Sequence, residues 1–188
     1  MDITSHAFWS LVHGMGFGGL YLLACSGAIL ELWRRFAPSS PVPVTAQDER
    51  FIRIYFAVMA ALAWLAVLTG AYLVYPWYRA IPPAAATSLS AFPQRLLLSN
   101  RSTAAWHSVG MEWKEHVAWL APISTTMACA VLMRHGRGLK DHPQLRNAVL
   151  CFVVVAMVAA GIAGFFGAEI DDHAPVEGGK IVHMAPGG

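Results

Sequence analysis

Four long stretches of this chain are almost continuously apolar, roughly 7–33, 54–78, 105–133 and 148–168, and each is closed by polar or turn-forming residues. The first runs into ELWRRF and a Pro/Ser-rich segment, the second into YPWYRAIPP, the third into RHGRGLKDHPQ and the fourth into GAEIDDH. A helix rises about 1.5 Å per residue, so about 20 apolar residues cross a bilayer core roughly 30 Å thick. Runs of this length without alternation are helical, because only helices or closed barrels satisfy their backbone groups in lipid. The pattern predicts an all-α fold, an integral membrane four-helix up-down bundle over 1–170, with a tail over 171–188. Before the third span, AFPQRLLLSN has an apolar face with one Arg, which predicts a short helix in the membrane interface.

Composition agrees with a lipid solvent. Of 188 residues, 56% are hydrophobic and 13% charged, an apolar excess that soluble domains do not carry. The net charge of +2 and the placing of Lys and Arg at segment ends imply no nucleic-acid partner. Arg34, Arg35, Arg50 and Arg53 lie in the loop between the first two spans, and Arg134, Arg137, Lys140 and Arg146 between the last two. Fewer basic residues, Arg79, Arg95, Arg101 and Lys180, lie opposite. The positive-inside rule then puts both basic loops in the cytoplasm and both termini outside, N-out and C-out. Trp9, Tyr75, Trp77, Tyr78 and Trp106 fall where an outer aromatic belt belongs. The N-terminus lacks the basic region and cleavage site of a secretory signal, so the first span is expected to be retained. The excess of Arg over Lys and the abundant Ala suit a bacterial chain, hence a multi-pass protein of the bacterial cytoplasmic (inner) membrane with periplasmic termini. Cys25, Cys129 and Cys151 sit inside apolar runs as packing residues, and no CxxCH spacing exists for covalent haem.

Ionisable residues within the spans are costly in lipid and gather at one level. Counted from the basic residue that bounds each helix, His13, His116 and Glu169 lie about 31, 27 and 34 Å up, near the outer edge of the core. His6 and His107 lie about 10 Å further out, level with Asp171, Asp172 and His173. On a helical wheel Glu112 and His116 share one face of the third span, while His107, Met111 and Lys114 share the opposite one. His6 and His13 share a stripe on the first span. The first and third helices of an up-down bundle are diagonal, roughly 12–14 Å apart, a distance an iron held by two imidazoles fits. Gly14, Gly16, Gly18, Gly19 and Gly110 would let a flat porphyrin in, and would equally serve close helix packing.

Three readings stay open at this point. In the first, His13 and His116 hold one haem b, with His6 and His107 as outer candidates. In the second, His13 and His116 with Glu112, Glu115 or Glu169 hold iron, copper or zinc in a metal-dependent membrane enzyme or cofactor-assembly protein. In the third, Lys114 pairs with Glu112, Glu115 or Glu169, the histidines hydrogen-bond backbone or partner chains, and a non-catalytic subunit docks a larger complex through its outer loop and tail. The tail DDHAPVEGGKIVHMAPGG reads as a flexible arm or partner contact.

With His13 and His116 on two parallel helices of a four-helix bundle, the chain resembles in plan the small b-type cytochrome membrane subunits. That resemblance implies haem b, exchange of electrons between quinol and a partner redox protein, and proton uptake by Glu112 and Glu115 at the outer surface. Family members commonly hold two haems near opposite membrane faces. Here the inner half carries no candidate ligands, which limits the resemblance to one haem at the outer face.

Overall fold

The computed structural model describes residues 2–37 and 39–183. Four helices are long and apolar enough to cross a membrane: Ser5–Arg34, Ala46–Tyr78, Trp106–Lys140 and Pro143–His173, hereafter the first to fourth helices. Each extends past the apolar run that announces it. The second helix begins well before residue 54 because Thr45 and Asp48 form a capping box. Thr45 Oγ1 accepts from the Asp48 amide at 3.2 Å, and the Asp48 carboxylate accepts from the Thr45 amide at 3.0 Å. With its first donors satisfied, the polar AQDERF segment is helical outside the apolar core. Pro143 opens the fourth helix, where its preset φ fits and its missing N–H is no loss. Pro93–Leu98 forms a loop helix, as AFPQRLLLSN predicts. Its Pro93, Gln94 and Leu97 are buried in protein, so it is packed into the fold and does not lie on an interface.

The first helix packs on the second and the fourth, and the third packs on the same two. Neighbours are tied by polar contacts: Tyr55 Oη donates to the Ala24 carbonyl at 2.8 Å, Trp64 Nε1 to Thr126 Oγ1 at 3.0 Å, and Trp113 Nε1 to the Ala159 carbonyl at 3.1 Å. Across the diagonal, Tyr21 Oη and Thr125 Oγ1 meet at 2.6 Å in the buried centre.

The apolar core is in two pieces. The larger, around Phe36, Phe56, Leu32, Leu132 and Val153, fills the half of the bundle nearer the basic loops and reaches as far as Tyr21, Ala63 and Ala121. The smaller, of Tyr78, Leu97, Met111, Ile170, Ala174 and Val176, lies at the end that carries both termini. Between Ala63 and Tyr78, Met111 and Ala121, and Ala159 and Ile170 no described residue is fully buried. The gap is about 15 Å tall. The same belt holds the helical irregularities. Val12–Gly19 and Gly70–Val74 are π-helical, Trp106–Met111 is a π segment at the belt's edge, and Val117–Trp119 is a 3-10 turn. Pro122 accounts for the last, since it has no N–H to return to residue 118. π segments of this kind are frequent at functional sites.

The tail is not the flexible arm that its composition suggests. Ile181–His183 pairs antiparallel with Asp2–Thr4 in the register Asp2↔His183, Ile3↔Val182, Thr4↔Ile181. Gly178 and Gly179, at φ 101° and 83°, make the reversal that a side chain would strain. The His6 ring stacks on Trp77 with centroids 3.9 Å apart and donates from Nδ1 to the Glu177 carbonyl at 3.1 Å. Both described chain ends thus lie together over the same end of the bundle.

Candidate functional site

His13 is the histidine best placed for chemistry. It lies in the π segment of the first helix and turns its ring onto the second helix, where Nδ1 stands 2.7 Å from the Ala66 carbonyl oxygen and 3.4 Å from Thr69 Oγ1. A carbonyl only accepts, so Nδ1 carries the proton and the Nε2 lone pair is free. Among the described residues nothing hydrogen-bonds to Nε2. Gly70 makes the ring's seat: a Cβ there would come 2.5 Å from His13 Cε1. An imidazole fixed through Nδ1–H to a backbone carbonyl, with Nε2 open, is the usual set-up of a metal-ligating histidine.

Lys114 enters the same belt from the third helix. Its side chain is half-buried and lies on Gly167 of the fourth helix, where a Cβ would stand 3.0 Å from Nζ. It is within electrostatic range of His13 and of Asp171. Among the described residues no acceptor is hydrogen-bonded to it and no carboxylate forms an ion pair with it. The ion pairs expected with Glu112, Glu115 or Glu169 are therefore not formed, and the ammonium is left facing the belt. The helical wheel held the signal for this, since it set Lys114 with the buried Met111 and opposite Glu112 and His116.

His116 is not brought to His13. The two are at matching height, as the nearby Tyr21–Thr125 contact across the diagonal requires, but they point in different directions. His116 donates from Nδ1 to the Glu112 carbonyl at 3.1 Å, lies 3.3 Å from the Glu112 carboxylate, and is 69% exposed on the outside of the bundle. A pair of axial imidazoles from His13 and His116 is thus not assembled here. Depth is correct and azimuth is not, because the third helix turns its Lys114 face inward.

The remaining candidates hold structure together. His107 accepts from the Gln94 amide at Nε2, 3.3 Å, and donates from Nδ1 to Tyr78 Oη at 2.6 Å, so both ring nitrogens are used in pinning the loop helix to the second helix. His6 is spent on Trp77 and the tail. Glu115 lies against Tyr75 at the end of the second helix, away from Glu112. Glu169 is half-buried, and its carbonyl accepts from His173 Nδ1 at 2.8 Å. His13, His116, Glu112, Glu115 and Glu169 do not converge, and among the described residues no group of three or more His, Cys, Asp or Glu is placed to hold a metal ion. No family model matches the chain, and no curated protein or solved structure does so either.

Proposed function

We propose that this chain is a membrane electron-transfer subunit, an up-and-down bundle of the bacterial inner membrane with both termini periplasmic, that binds one b-type haem in the belt near the outer face. The single observation that carries this reading is His13, an imidazole held by a backbone carbonyl with its Nε2 open inside the least closely packed layer of the bundle. Lys114 supports it. A haem brings two carboxylates as well as an iron, and an ammonium without a partner in the chain is the complement that a propionate needs.

In this reading His13 supplies one axial nitrogen, Ala66 and Gly70 orient it, and Lys114 meets the peripheral charge. The bound group supplies one-electron chemistry, its potential set by axial ligand and burial. Quinol at the outer leaflet and a periplasmic redox protein are the partners that such a position serves. His116, Glu112 and Glu115 lie at the surface, where they suit proton exchange with water or contact with that partner.

The test is an absorption spectrum of protein purified from haem-replete cells, with apoprotein titrated by hemin in parallel. A Soret band with reducible α and β bands is expected, lost in His13→Ala, weakened in Lys114→Met and kept in His116→Ala and His135→Ala. A wild-type protein that takes up no haem by either route, or a His13→Ala protein with an unaltered spectrum, overturns the reading. Equal loss in His13→Ala and His116→Ala would restore the two-imidazole arrangement.

A further inference from the structure

At the opposite end of the bundle a groove of about 680 Å³ runs between the second and third helices, within the roughly 300–1,000 Å³ range of ligand sites. Its stem is apolar, lined by Ile54, Ala57, Ala61 and Met133, and its mouth is basic, lined by Arg50 and Arg53. The two parts lie end to end along the helix axis, so the groove passes from the bilayer interior to the headgroup level beside the basic loops. That is the shape of a phospholipid.

The charges at the mouth are not balanced within the chain. Glu49 is the carboxylate present, and its oxygens are already taken by Arg53 Nη2 at 2.7 Å and Arg137 Nε at 2.8 Å. Arg50 is exposed, and among the described residues it has no hydrogen-bond or ion-pair partner. Arg53 Nε is buried and donates to nothing. A buried guanidinium N–H without an acceptor is costly and calls for one from outside the chain. Lipid lies beside this part of a membrane-spanning helix, and an acceptor there is a phosphate oxygen.

We infer that this groove is a binding site for an anionic phospholipid of the leaflet facing the basic loops, its phosphate on Arg50 and Arg53 and an acyl chain along Ala57 and Ala61. The small side chains leave room for the chain, and the guanidiniums select charge, since a zwitterionic headgroup brings its own ammonium to the same place. The inference needs the membrane-spanning fold and is independent of the haem reading.

Native mass spectrometry of the full-length protein, released from vesicles of equal phosphatidylglycerol and phosphatidylethanolamine, tests it. One retained phosphatidylglycerol is expected, favoured at least about tenfold over phosphatidylethanolamine. Arg50→Gln, which removes no contact within the chain, should bring that preference down to about twofold or less, and Ala57→Leu, which fills the stem and leaves every charge, should lower retention of both lipids. Arg146→Gln, away from the groove, should change neither. Equal retention of the two lipids by the wild type, or an equal fall with Arg146→Gln, overturns the inference. So does displacement of the lipid by millimolar inorganic phosphate, or a dimer whose contact covers the groove.

Discussion

The Nδ1 of His13 stands 2.7 Å from the carbonyl oxygen of Ala66, and this contact turns the one deeply placed imidazole of the first helix toward the second helix. It decides both the tautomer of the ring and the direction in which Nε2 is offered. The seat depends on Gly70, where a Cβ would come 2.5 Å from Cε1. Gly70→Ala should therefore displace the ring without removing any ligand. A fall of several-fold in haem per protein is expected from the Soret-to-protein absorbance ratio, with helicity by circular dichroism unchanged.

Lys114 is a stability cost in the free protein. Moving an ammonium into a partly buried belt without a partner is unfavourable, and Met has similar length without the charge. Lys114→Met should raise the apoprotein's melting temperature in detergent by a few degrees, corresponding to about 1 kcal/mol, while reducing haem retention. Opposite signs for stability and retention are the expected result. A lowered melting temperature together with normal retention would assign Lys114 to structure.

How these features relate to the sequence depends on which physical signal carries each. Four helices are legible because apolar length is a direct requirement of the bilayer, and the loop helix because Pro93 and its apolar turn mark it. Depth is legible too, since rise per residue is nearly constant: Tyr21 and Thr125 do meet across the diagonal, and His13 and His116 share a level. Rotation is not. On the third helix the wheel separates the Glu112/His116 face from the Met111/Lys114 face but does not say which one turns inward. Counting charges favours hiding the histidine and pairing the lysine, and packing does the reverse. The π segments at Val12–Gly19 and Trp106–Met111 also break the constant angle per residue on which any wheel rests. The tail escapes for another reason. Gly, Pro and charge in DDHAPVEGGK describe an unanchored segment equally well, and the strand partner that anchors it lies at the other end of the chain.

The Tyr21–Thr125 contact couples diagonal helices in the middle of the bundle, and Thr125 Oγ1 also donates to the Ala121 carbonyl at 2.7 Å. Tyr21→Phe removes one hydroxyl and leaves Thr125 bonded to its own helix, so a loss of about 1 kcal/mol is expected. Tyr21→Ala adds a cavity next to Cys25 and should cost about 3–5 kcal/mol. Thermal melts in one detergent, compared between the two variants, measure the difference.

His107 should behave as a clamp and not as a ligand. Its ring joins Gln94 of the loop helix to Tyr78 of the second helix. His107→Ala is expected to leave the Soret band intact and to make the segment 80–105 several-fold more sensitive to limited proteolysis. Tyr78→Phe, which removes one of the two bonds, should have a smaller effect in the same assay.

The antiparallel pairing of Asp2–Thr4 with Ile181–His183 joins residues from the two extremes of the chain. During synthesis the leading strand reaches its final position long before its partner exists, so this small sheet can close only after the fourth helix has been inserted. It acts as a seal on a finished bundle. A chain cut short anywhere before Ile181 would show its incompleteness as an unpaired β-edge at the N-terminus, a surface that quality-control proteases can read without probing the membrane at all.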